Sequence, residues 1–121
     1  MTIQECYQNM GGDYAQVERC LPSVSLIKRF ITKFLDDGSY AELCQAMDDG
    51  SREGAFRAAH TLKGVCANLG FDRLYRSASQ LTDLLRLETD SIPAGAAPLL
   101  DTVKADYQLT VDTIRAFLAE E

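Results

Sequence analysis

Apolar residues recur at three- and four-residue spacings along almost the whole chain, with no sustained two-residue alternation and no Asn-Gly or Asp-Gly turn between β-branched runs. That is the signature of helices packed on helices. Two short amphipathic pieces come first: Thr2 to Asn9, then Tyr14 to Leu21 after Gly11-Gly12, with Asp13 as N-cap and Pro22 as terminator. Ser23 caps a stronger helix with the stripe Val24, Ile27, Ile31, Phe34 and Leu35, ending at Asp36-Asp37-Gly38. A shorter piece follows, Ser39 to Met47, with Leu43 and Met47 one turn apart. After Asp48-Asp49-Gly50, Ser51 caps a helix that runs to Leu69, where Gly70 supplies a residue able to take positive φ. Gly54 occupies the position where a capping-box glutamate would stand. Asp72 is the expected cap of a helix carrying Leu74, Ala78, Leu81 and Leu85. Thr89 to Pro98 reads as a loop with a ragged helix start, and Leu100, Val103, Tyr107, Val111, Ile114 and Leu118 mark a last helix.

Four apolar stripes joined by short connections predict an all-α fold: an antiparallel up-down-up-down four-helix bundle over residues 22–121, with the short helices of 1–21 packed on one end or flank. A length of 121 residues is one domain's worth, so 1–121 is read as a single domain. Twelve Lys+Arg against 18 Asp+Glu leave a net charge of -6, which argues against nucleic acid and anionic membrane as partners. The N-terminus has no basic region leading into an apolar core and no stretch long enough to span a bilayer; the expectation is a cytoplasmic chain. Cys6, Cys20, Cys44 and Cys66 include no Cys-x-x-Cys pair and have one histidine between them, so no metal site is expected, and buried reduced thiols are the preferred reading over disulfides.

The chemistry concentrates around that histidine, His60. At about 100° per residue, Ala55, Ala58, Leu62, Val65, Cys66 and Leu69 fall on the side of the helix opposite it. Glu53, Phe56, Arg57, Lys63, Gly64 and Ala67 fall within about 60° of it, so the imidazole is expected to face solvent. A lone exposed ring on a convex surface has neither a nucleophile elbow to serve nor a pocket in which to act as general acid or base. Nucleophilic chemistry on a large partner remains. In its neutral form the imidazole has a ring-nitrogen lone pair free to attack phosphorus. Lys63, at i+3, is placed to neutralise the incoming phosphoryl charge. Gly64, at i+4, costs a helix interior roughly 1 kcal/mol relative to Ala, and its absent side chain would otherwise crowd the ring. Glu53, Phe56, Arg57 and Ala67 form a candidate docking face, with Phe56 tucked under an N-terminal helix as the alternative of equal weight and Glu53 placed to pair with Arg57.

The run Ala59-His60-Thr61-Leu62-Lys63-Gly64-Val65-Cys66-Ala67-Asn68-Leu69-Gly70 resembles the signature of histidine-containing phosphotransfer domains, His-x-x-Lys-Gly followed after five residues by Gly. The resemblance extends over roughly residues 20 to 120. It implies a bundle presenting His60 as phosphoacceptor, Lys63 as charge partner, Gly64 as the clearance residue and Gly70 as the helix end. It also implies partners: response-regulator receiver domains, whose acidic pocket brings the aspartate and a Mg²⁺ ion, and a sensor or hybrid histidine kinase. The chain itself would hold no cofactor, and with no Gly-rich ATP loop it is expected to be a phosphocarrier and not an enzyme. The starting Met and finished last helix favour a freestanding chain, expected to be a monomer. The competing reading is a helical interaction module of the same fold that docks on a receiver or kinase without transfer. A phosphatase is disfavoured because Glu53, the nearest carboxylate on that face, is about 10 Å from His60 along the helix axis.

Overall fold

The computed structural model describes all residues from Met1 to Glu121 as seven α-helices and no strand. They are α1 (Ile3–Asn9), α2 (Tyr14–Cys20), α3 (Val24–Phe34), α4 (Ser39–Asp48), α5 (Arg52–Leu69), α6 (Asp72–Leu85) and α7 (Ala96–Ala119). The predicted caps at Asp13, Ser23 and Ser51 form: each side chain accepts the N–H three residues on, at 3.1, 3.2 and 3.1 Å. Thr2 and Glu5 add a reciprocal capping box at the start of α1. The Thr2 backbone N–H, which donates to the Glu5 carboxylate, and after it the Thr2 hydroxyl hold that carboxyl below the ordinary range.

Helices α4 to α7 make an antiparallel four-helix bundle, each lying beside its sequence neighbour, while α3, expected within the bundle of residues 22–121, packs outside these four. Helix α7 is longer than its role there requires: at about 1.5 Å per residue its 24 residues span about 36 Å. Its first half runs along α6, where Asp106 accepts from Arg73 at 2.9 Å. Its second half extends past α6 and is covered by α1 and α3. Along α3 the contacts pass from Phe117 and Glu121, reached by Lys28, to Tyr107, reached by Phe34, so α3 runs antiparallel to this half. The buried Ile27, Ile31 and Phe34 of α3 and Ile3, Cys6 and Tyr7 of α1 therefore join Val111, Ile114 and Phe117 in one continuous core.

Two local expectations are corrected. Asp72 does not cap α6; it is the first helical residue, and its carboxylate lies 3.6 Å from Arg76. Phe71 takes the cap position because its ring is drawn into the core, 1% exposed, against Phe34 and Tyr7. Helix α7 starts at Ala96, ahead of Leu100, with Pro98 inside the first turn, where a missing N–H costs no intrahelical hydrogen bond. No helix is long and apolar enough to cross a membrane.

The α5–α6 turn is the tightest joint. Gly70 has φ of +70°, and the Gly70 and Phe71 N–H groups both turn back to the Cys66 carbonyl. The α1–α2 turn crosses it at backbone distance: the Asp13 N–H donates to the Gly70 carbonyl at 2.8 Å, and the Arg73 N–H donates to the Gly11 carbonyl at 3.1 Å. The Tyr7 hydroxyl donates to the Leu69 carbonyl at 2.7 Å. A Cβ at residue 70 would stand 2.8 Å from the Asp13 carbonyl oxygen. Gly70→Ala therefore combines left-handed strain with a backbone clash, and urea denaturation should show a loss of about 1–3 kcal/mol.

All four cysteines are free. Cys6 and Cys66 are buried as expected, Cys44 is half-buried, and Cys20 is exposed because short α2 turns only Val17 fully inward. Burial pushes the Cys6 thiol from its ordinary 9.0 up to about 11 and raises Cys66 further, the Asp37 carboxylate adding to the latter. Both native thiols hold their protons where unfolded ones ionise, so the stability they confer is whole below about pH 9 and falls as the pH rises through 11. Unfolding free energies measured across that range should decline with pH. The decline should be shallower in Cys6→Ala/Cys66→Ala, with the remainder coming from Tyr7, Tyr40 and Tyr107, whose hydroxyls are raised chiefly by burial.

Candidate functional site

Helix α5 packs between α4 and α6 and leaves one side to solvent. Small residues bring α4 close: a Cβ at Gly54 would meet Ala46 Cβ at 3.3 Å and Ser51 Oγ at 2.8 Å. The inward stripe is Ala55, Ala58, Ala59, Leu62, Cys66 and Leu69. Val65, expected with them, is half-buried at the edge of a groove it shares with Phe30 and Phe34 of α3.

His60 stands near the middle of α5 and is exposed, as the angular pattern required. Lys63 and Gly64 follow on the same side. The Lys63 stem is half-buried, and its Nζ sits 6.0 Å from the centre of the Tyr75 ring on α6, facing an aromatic surface and no carboxylate. Nothing lies within 4 Å of where a Gly64 Cβ would be. Close packing between helices is therefore not the reason for glycine at this position.

The expected docking face is only partly assembled. Glu53 and Arg57 are exposed and pair with each other at 3.7 Å, a contact worth little in water. Phe56 is half-buried, and the alternative placement under an N-terminal helix is overturned: its ring neighbours His60, with centroids 5.9 Å apart and planes at 11°, and the Arg86 guanidinium, 5.8 Å from its centre. The N-terminal helices reach the other end of α5, where the Gln16 side-chain amide donates to the Ala67 carbonyl at 2.9 Å and leaves Ala67 half-buried. Arg52 donates to the Leu85 and Thr89 carbonyls at 2.7 and 3.0 Å, tying α5 to the end of α6.

Tyr75 and Arg86 escaped the sequence reading. Tyr75 lies on α6 and Arg86 directly after its last residue, and only the register of the α5–α6 hairpin brings them to this face. Positions roughly equidistant from Gly70 meet: Lys63 with Tyr75, Phe56 with Arg86, Arg52 with Leu85 and Thr89. A two-residue turn of known geometry was the available signal. No group of three or more His, Cys, Asp or Glu side chains is placed to hold a metal ion.

A solvent-facing imidazole with a free cation one turn away, set on a helix that presents a convex surface, is an arrangement for meeting another protein. The Hpt domain family model matches residues 29–117, from within α3 to within α7. The chain belongs to the Hpt domain family. Hpt domains are phosphocarrier modules of two-component phosphorelays, so the protein takes part in histidine phosphotransfer, and membership implies receiver domains and histidine kinases as its partners. No curated protein and no solved structure matches the chain.

The open space above Gly64 gives a direct test of why the residue is there. Gly64→Ala meets no neighbour and should stabilise α5 by about 0.5–1 kcal/mol in urea unfolding, the ordinary helix preference of alanine. A glycine that makes the fold less stable is kept for something other than the fold.

Proposed function

We propose that this Hpt domain carries the phosphoryl group on His60, receiving it from a receiver-domain aspartate or a histidine kinase and passing it to a response-regulator aspartate. The observation that carries the reading is the exposed His60 ring with Lys63 on one side and empty space over Gly64. The outer ring nitrogen attacks the phosphorus of the partner's aspartyl phosphate. The N–P bond forms as the bond from phosphorus to the carboxylate oxygen breaks, and the imidazolium product sheds its proton to water. Return to a second aspartate runs the same exchange backwards.

In this reading Lys63 leaves the Tyr75 ring and pairs with the phosphoryl oxygens, replacing a weak cation–π contact by a charge-assisted one. Gly64 lets the partner's loops close over the imidazole. The Mg²⁺ that the acyl phosphate chemistry requires belongs to the receiver, and this chain holds no cofactor of its own. No pocket that excludes water surrounds His60, so the acid–base groups and metal of the reaction come with the partner.

Incubation with a phosphorylated receiver and Mg²⁺ should place an acid-labile, base-stable label on the chain, absent from His60→Gln. Label persisting in that variant removes His60 as acceptor, and no label on the wild-type chain leaves a docking module without transfer. Gly64→Leu should keep the helical circular dichroism and slow transfer at least about tenfold, since a leucine there leans over the imidazole. An unchanged rate would show that clearance is not limiting.

A further inference from the structure

Side chains on a helix lean toward its N-terminus, so the His60 imidazole lies over the turn that carries Phe56. The two rings are nearly parallel, at 11°, with centroids 5.9 Å apart, inside the range in which offset aromatic pairs attract. Phe56 has a second neighbour. The Arg86 guanidinium lies 5.8 Å from its ring centre and 3.8 Å from the Asp83 carboxylate, which tethers it beside the last turn of α6. On the other side of His60 the surface is bare at Gly64. The ring therefore has a wall toward the start of α5 and open space toward its end, where Lys63 also stands.

We propose that Phe56 is a positioning residue for phosphotransfer, holding the His60 imidazole in one orientation with Arg86 as its brace, so that the partner's phosphoryl group arrives from the Gly64 side. The inference rests on His60 as acceptor and concerns how the ring is aimed. An exposed imidazole free to rotate loses that freedom each time a partner docks, and a ring already stacked loses less. Phe56 itself touches neither phosphorus nor oxygen. Its contribution falls on the transfer step within the docked complex, whereas a plain apolar docking contact would act on affinity.

Because the chain has a single histidine, its ring protons identify themselves in an NMR spectrum. Phe56→Leu keeps apolar bulk and the fold while removing the flat face; Phe56→Tyr keeps the face; Arg86→Gln removes the brace. With the full chain and a phosphorylated receiver domain varied to saturation, Phe56→Leu should lower the first-order transfer constant about three- to tenfold while the half-saturating concentration moves less than about twofold. The His60 ring protons should lose the ring-current displacement the stack imposes and move toward their free-imidazole positions. Phe56→Tyr should restore both readouts, and Arg86→Gln should give a smaller change of the same sign. The proposal is overturned by ring resonances unmoved in Phe56→Leu, by a loss confined to the half-saturating concentration, or by no rescue in Phe56→Tyr. A parallel His60→Gln reaction separates the two readings: label retained there overturns both, while label lost there and transfer unchanged in Phe56→Leu overturns this one alone.

Discussion

The backbone crossing at Gly70 is the contact on which the rest of the molecule depends. A left-handed residue there lets α5 reverse into α6 within two positions, and the absence of a side chain lets the α1–α2 turn lie against it with the Asp13 N–H on the Gly70 carbonyl. The register of the α5–α6 hairpin follows. A slip of one residue would rotate each helix by about 100° and carry Tyr75 and Arg86 away from the face that bears His60. One glycine thus fixes both the end of the helix and what stands beside the imidazole.

Three glycines on or just past the same helix answer three physical demands. Gly54 lets Ala46 of α4 approach α5 closely, Gly70 takes a backbone conformation that other residues resist, and Gly64 meets neither demand. The first two are explained by the fold. The third stands on an exposed helix surface with no atom above it, where alanine would be more stable, and its only structural consequence is open space beside His60.

The N-terminal helices are part of this machinery even though the family match begins at residue 29. The second half of α7 would present Val111, Ile114 and Phe117 to water without α1 and α3. Tyr7, fully buried with its hydroxyl on the Leu69 carbonyl, connects that half of the core to the end of α5. Aromatic contacts run from Tyr14 through Tyr7, Phe71, Phe34 and Tyr107 to Tyr40, drawing five of the seven helices and the Phe71 turn into one rigid end. His60 sits on a helix anchored at that end by packing and at the other by Arg52, a suitable base for a group that must be presented without a pocket.

The sequence by itself determined the helices, three of their seven N-caps and the exposure of His60, because these follow from local rules: a period near 3.6, side-chain oxygens before apolar runs, and the angular position of each residue on one helix. The same rules placed Lys63 and Gly64 beside the ring. Only the tertiary structure decided what lies across from them. The covering of the second half of α7 by α1 and α3, the burial of Phe71 in place of a cap at Asp72, and the arrival of Tyr75 and Arg86 beside Lys63 and Phe56 all depend on how separate helices pack. Periodicity along one helix carries no record of its neighbour's register, which is set by turn geometry and by the shapes that fill the core.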